Sequence, residues 1–268
     1  MPKTKEHQKV LGNLFYYGSG NKKSAVPNIF PKPNDHIMKT IGLIGGMSWE
    51  STKVYYEYLN TMVNNQKGGS HSAKILMSSV DFAEIEKDSL DDNWKNIGKT
   101  MGQHAKKLEQ AGADVIILCT NTIHLVSDAI TASIQVPFLH IADATGNAIA
   151  HKKLKKVGLL GTSFTMERDF YTKTLREKYG LDVVVPKADD RQQLQHIIYN
   201  ELVKGSFTKN SKLACLRMIQ ELIGQQGVEG IILGCTELPI LIPETEIPVQ
   251  AFNTTKLHAQ KAVEFALS

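Results

Sequence analysis

The 268-residue chain has three cysteines and no Cys-x-x-Cys pair, too few and too scattered for a disulfide framework or a zinc ribbon. It has no run near the roughly 18 consecutive apolar residues of a membrane helix. With 42% hydrophobic and 22% charged residues, disordered and fibrous classes are excluded as well. Excess charge of one sign is also missing: the formal +4 comes entirely from residues 1–37, where six lysines face only Glu6 and Asp35. A charge-balanced body without a basic, aromatic-interleaved stripe lacks the footprint of a nucleic-acid binder. These absences leave a globular protein with no membrane segment, expected in the cytoplasm.

Residues 1–37 read as a flexible N-terminal extension. Their apolar piece, Val10 to Tyr17, is interrupted by Gly12 and Asn13, has no small-residue cleavage site, and is accompanied by no arginine, so neither a secretory signal nor a transit peptide is indicated. The segment ends in a proline-rich run just before Met38.

From Lys39 onward, β-branched runs alternate with amphipathic stretches. Strands are expected at residues 40–44, 74–80, 114–119, 136–141, 156–160, 182–185, 230–234 and 248–252. Helical spacing links Trp94, Ile97, Met101 and Leu108, and again Leu194, Ile197, Ile198 and Leu202, while Gly112, Gly180 and Gly205 follow candidate helix ends. Strands alternating with helices predict α/β architecture with mainly parallel sheets.

An internal repeat divides that architecture. Ile41-Gly42-Leu43-Ile44-Gly45-Gly46 returns as Val157-Gly158-Leu159-Leu160-Gly161-Thr162, and Val115-Ile116-Ile117-Leu118-Cys119-Thr120 returns as Gly230-Ile231-Ile232-Leu233-Gly234-Cys235-Thr236. Matching Gly42 to Gly158 and Cys119 to Cys235 gives one common offset of 116. A weaker echo joins Val136-Pro137 to Ile247-Pro248. Two pseudo-symmetric Rossmann-like lobes with a cleft between them follow: residues 38–142, completed by about 250–268, and residues 143–249. Ligands of open α/β sheets bind outside the carboxyl ends of the strands, so both repeated cysteines are expected on the cleft. Cys215, in Leu213/Leu216/Ile219 periodicity without a repeat partner, reads as core.

Two acid/base groups on opposite sides of one carbon can remove a proton from one face and return one to the other, which is racemisation. One thiol must ionise, and helix amino-termini after Cys119 and Cys235 are expected to favour a thiolate. The same N–H groups would bind a substrate carboxylate.

Gly42-Leu43-Ile44-Gly45-Gly46-Met47-Ser48-Trp49-Glu50-Ser51, Cys119-Thr120-Asn121-Thr122-Ile123-His124, Gly161-Thr162-Ser163-Phe164-Thr165-Met166 and Gly234-Cys235-Thr236-Glu237-Leu238-Pro239 together resemble the aspartate/glutamate racemase family. The resemblance runs from Met38 to Ser268. It implies a homodimer, inversion of a small acidic amino acid with aspartate before glutamate, Cys119 and Cys235 as opposing bases, and no pyridoxal phosphate. It also implies substrate-carboxylate contacts by Asn121, Thr122 and Thr236, support from Thr162 and Thr165, a cleft position for Met47, and a Glu237 that assists the neighbouring thiol. Helix capping is an equally open role for Thr122, Thr162 and Thr236, and His124 reads as a packed histidine. Two departures from the family pattern stand out: Asn253 replaces a usual aspartate, and the segment from Ser79 to Glu84 has no arginine for a distal carboxylate.

Other readings use the same residues. The turn Gly42-x-x-Gly45-Gly46 is not a dinucleotide fingerprint and no P-loop follows. His104, His124, His140 and His151 lack metal-ligand spacing with either repeated cysteine. A related thiol enzyme, such as a maleate isomerase or arylmalonate decarboxylase, and a non-enzymatic amino-acid-binding protein remain alternatives. Tyr55, Tyr58 and Met62 suit either a dimer face or a lobe core.

Overall fold

The computed structural model describes residues 37–268, so the reading of the N-terminal extension lies, apart from Ile37, outside the described residues. Two parallel sheets follow one another along the chain. The first, in order β2-β1-β3, takes β1 (Ile41–Gly45), β2 (Ile75–Ser79) and β3 (Val115–Leu118). Its strands are joined by α1 (Trp49–Lys67), and then by α2 (Phe82–Leu90) and α3 (Trp94–Gln110). A 3-10 turn at Thr122–Val126, α4 (Ser127–Thr131) and α5 (Ile141–His151) lead to the second sheet.

That sheet, in order β5-β4-β6-β7, contains β4 (Lys156–Gly161), β5 (Asp182–Val184), β6 (Gly230–Gly234) and β7 (Gln250–Asn253). Its connections are α6 (Ser163–Glu167), α7 (Asp169–Tyr179), α8 (Ala188–Asn200), α9 (Lys209–Gln226) and α10 (Leu238–Leu241), and α11 (Thr254–Leu267) closes the chain. The two-lobed α/β fold expected from the repeat is therefore the fold observed.

Strands buried on both faces explain the uninterrupted aliphatic runs. In β3 the residues alternate: Val115 and Ile117 pack with Tyr55 and Leu59 of α1 and with Ala259, Ala262 and Val263 of α11, whereas Ile116 and Leu118 pack with Ile97, Met101 and Leu108 of α3. Tyr55 is thus core, with Tyr58 and Met62 partly buried against it. Cys215 is fully buried in the second lobe's core. The tight passage from β1 into α1 depends on Gly46, whose φ is +98° and where a Cβ would lie 2.2 Å from the Val80 carbonyl oxygen.

Two boundaries differ from the sequence reading. The strand expected at residues 136–141 shrinks to one parallel bridge, Ile116 with Phe138. Pro137 has no N–H to donate, and by Ile141 the chain is already helical, with His140 Nδ1 accepting from the Ala142 N–H at 3.1 Å. Residues 250–268 do not complete the first lobe as a block. β7 pairs with β6 in the second sheet, and only α11 returns its alanine face to the first.

Behind the first sheet lies a cluster of three histidine rings, His124, His140 and His258. Tyr55 OH donates to His258 Nδ1 at 2.9 Å, and His258 Nε2–H donates to the Leu139 carbonyl at 2.8 Å, a pattern that suits the neutral ring. Burial holds the His258 pKa down to about 4, and lowers those of His124 and His140 as well. Between pH 6.5 and 4 the unfolded chain therefore takes up a proton that the folded chain refuses, so stability is full above this window and falls as pH drops through it. For His258 alone the loss is on the order of 3 kcal/mol. Urea midpoints at pH 7 and pH 4.5 should show this drop in the wild type and a smaller one in His258→Asn; equal drops would contradict the assignment.

Candidate active site

The carboxyl ends of β1, β3, β4 and β6 meet at one cleft with walls from both lobes. The first lobe contributes Met47 and Ser48 after β1, Phe82 and Ser89 of α2, and Thr120, Asn121 and Thr122 after β3. The second contributes Thr162 after β4, Tyr199 of α8, and Cys235, Thr236 and Glu237 after β6. No lysine, arginine or histidine belongs to this lining among the described residues.

Glu237 is the polar centre. It is 2% exposed, and its carboxylate accepts from Cys235 Sγ at 3.0 Å, Thr236 Oγ1 at 2.7 Å, Ser48 Oγ at 2.7 Å and Ser51 Oγ at 2.9 Å. The two serines come from the other lobe, at the start of α1, where Ser48 also caps the helix by accepting from the Ser51 N–H. A buried carboxylate is thereby supplied with hydroxyl and thiol donors beside a helix amino-terminus, which offsets its desolvation. The Ser51 and Thr236 hydroxyls, which both donate to this carboxylate, also lie against one another across the two lobes.

The Cys235 thiol is pushed well above its ordinary range by burial, by the negative charge of Glu237 and by its hydrogen bond to that carboxylate; the N–H groups of Glu237 and Leu238 pull the other way. The site thus keeps Cys235 as a neutral thiol with an acceptor in place for its proton. This reverses the expectation that a helix amino-terminus would favour the thiolate: α10 is only four residues long, and the adjacent carboxylate outweighs it.

The hydroxyls expected around the substrate are here. Thr122 and Thr162 share a 2.9 Å hydrogen bond across the cleft, and Thr162 Oγ1 lies 3.1 Å from Thr165 Oγ1. Thr162 also caps α6, while Thr165 is fully buried behind it. Asn121 donates through Nδ2 to Thr254 Oγ1 at 3.1 Å, and its Oδ1 has no protein partner among the described residues. Because Thr254 gives its own proton to the Leu233 carbonyl, the orientation of this amide is set by the network.

One expectation fails. Cys119 continues the Val115/Ile117 face of β3 into the core beside Tyr55, is 0% exposed and does not line the cleft. Its thiol is raised by burial alone. The residue beside it, Thr120, faces the cleft instead. The expected pair of facing thiols is therefore absent, because alternation along the strand turns adjacent residues to opposite sides.

Asn253 serves as the cap of α11, accepting from the Lys256 N–H at 3.1 Å and donating to Tyr58 OH at 3.3 Å, away from the cleft lining. His124 is fully buried, tied by Nδ1 to the Thr120 carbonyl and by Nε2 to the Ile141 N–H. Sequence reasoning missed Thr120, Ser48, Ser51, Phe82, Ser89 and Tyr199. Thr120, Ser48 and Ser51 stood inside the quoted motifs, whereas nothing in the local pattern marked Ser89 or Tyr199.

The two-lobed α/β fold thus carries a thiol, a carboxylate and a group of hydroxyls at its strand ends, and the comparisons place it in the amino-acid racemase class. The family described as Asp/Glu/Hydantoin racemase matches residues 44–262, and the chain belongs to that family. A candidate Asp/Glu racemase from Yersinia pestis is 47% identical with a TM-score of 0.81, the match covering 86% of this chain and all of that one. An aspartate racemase homologue from Pyrococcus horikoshii OT3 is 38% identical with a TM-score of 0.75, at the same coverage. The broad specificity amino-acid racemase RacX of Bacillus subtilis is 26% identical over 214 residues, 78% of this chain and 91% of that protein.

The geometry around Glu237 makes a testable prediction. Glu237→Gln removes the charge that disfavours the Cys235 thiolate, so the ascending limb of kcat/KM should move to lower pH. A limb at unchanged pH in a folded variant would show that the carboxylate does not set the thiol's ionisation.

Proposed function

We propose that the chain inverts the α-carbon of an acidic amino acid, aspartate before glutamate, without pyridoxal phosphate, with Cys235 as one of the acid/base groups. The observation that carries this reading is the Cys235–Glu237 pair in a cleft lined by hydroxyls. The carboxylate that accepts from Sγ at 3.0 Å can take the thiol proton, leaving the sulfur to attack an α-hydrogen. As that proton leaves, charge develops on the substrate carboxylate, and the hydroxyls of Thr122 and Thr162, which line the cleft, are the donors that face it.

The lining bears on the cofactor and on how a substrate would be held. The lining contains no lysine among the described residues, and a lysine is the group that a pyridoxal Schiff base requires. A substrate with two carboxylates would be held here by hydroxyls, amides and backbone N–H groups, since the cleft wall offers no cationic side chain. We assign the working form to a homodimer on the family resemblance, and to the cytoplasm on the few scattered cysteines.

Proton NMR of L- and D-aspartate and L- and D-glutamate in deuterated water tests the activity. The purified protein should replace the α-proton with deuterium and produce the opposite enantiomer, with aspartate turned over faster, and exhaustive dialysis should leave the rate unchanged. Cys235→Ser should lower inversion about 10²- to 10⁴-fold. Activity that depends on added pyridoxal phosphate, or survives in Cys235→Ser at the wild-type rate, would refute the proposal.

A further inference from the structure

We infer that the second acid/base group is Thr120, so that a hydroxyl rather than a second thiol opposes Cys235 across the reacting carbon; this rests on the racemase reading above. The argument comes from strand register. In the first sheet Gly42 pairs with Ile116 and Ile44 with Leu118; in the second, Gly158 pairs with Ile231 and Leu160 with Leu233. Gly42 and Gly158 are the equivalent residues of the repeat. Equivalence by hydrogen-bonded position therefore matches Leu118 to Leu233, Cys119 to Gly234, and Thr120 to Cys235.

The apparent match of Cys119 with Cys235 is thus one residue out of register, and in a strand a slip of one residue exchanges the two faces. Burial agrees with the register: Cys119 is sealed in the core with Tyr55 and Leu59, whereas Thr120 and Cys235 border the same cleft from different lobes. The Thr120 hydroxyl takes part in no side-chain hydrogen bond among the described residues, and the backbone carbonyl of Thr120 is fixed by His124 Nδ1 at 2.8 Å.

The chemistry follows from the pair. The Cys235 thiolate takes the α-proton, an S–H bond forming as the C–H bond breaks, and the electron pair stays on the carbon, delocalised into the carboxylate. Thr120 gives its hydroxyl proton to the opposite face and recovers one from solvent water in the cleft. The hydroxide equivalent so formed is neutralised when Cys235 loses its proton again through Glu237. Both enantiomers share one equilibrium, but only one of them presents its α-hydrogen to sulfur.

The test separates exchange from inversion. In deuterated water, folded Thr120→Ala should lose inversion about 10²- to 10⁴-fold while still exchanging the α-hydrogen of a single enantiomer, because Cys235 can remove and return hydrogen on its own face. Thr120→Ser should restore inversion, and Cys119→Ala should invert at close to the wild-type rate. Wild-type inversion in Thr120→Ala, or its loss in folded Cys119→Ala, would overturn the assignment. So would loss of exchange together with inversion in folded Thr120→Ala, which would make the hydroxyl a binding group. Wild-type protein that neither exchanges nor inverts any amino acid would instead refute the racemase reading on which the assignment stands.

Discussion

The parallel pairing of the two central strands in each sheet is the constraint on which the site depends. β1 fixes the register of β3, and β4 that of β6, so the backbone decides which residue beyond each strand end enters the cleft and which stays in the core. Successive side chains point to opposite faces, and no adjustment of a rotamer can bring Cys119 round to the position of Thr120. The aliphatic runs of β3 and β6, buried on both faces, hold that register against slippage.

The lobes meet over the cleft through hydrogen bonds as well as packing. Ser48 and Ser51 of the first lobe bind Glu237 of the second, Thr122 binds Thr162, and Asn121 binds Thr254. These groups either line the cleft or sit immediately behind it, so the position of one lobe relative to the other is felt at the carboxylate that controls the Cys235 thiol. The partners of Glu237 are neutral donors, which leaves its charge uncompensated by a cation and able to act on the thiol beside it.

Much of this was legible in the sequence, for identifiable reasons. The alternation of apolar runs and helical spacing specified the strands because each is buried on both faces, and the repeat of Gly42 and Gly158 specified the two lobes. Cys235, Thr236, Glu237, Thr122, Thr162 and Met47 were found because they lie in compact motifs at strand ends. What the sequence could not settle was the one-residue difference between Cys119-Thr120 and Gly234-Cys235. An alignment by letter favours matching the two cysteines, and only the hydrogen-bonded register shows that threonine holds the equivalent place. The shrinkage of the expected strand at residues 136–141 and the transfer of β7 to the second sheet depend on long-range pairing, which no local pattern carries. Tyr199 and Ser89 reach the cleft because of how α8 and α2 dock, again a tertiary matter.

The most direct measurement is a crystal structure of the wild-type protein with aspartate bound. The account predicts an α-carbon between Cys235 Sγ and Thr120 Oγ1, each within about 3–3.5 Å of it, with Cys119 Sγ still packed against Tyr55. An α-carbon flanked by the sulfurs of Cys119 and Cys235 would contradict it.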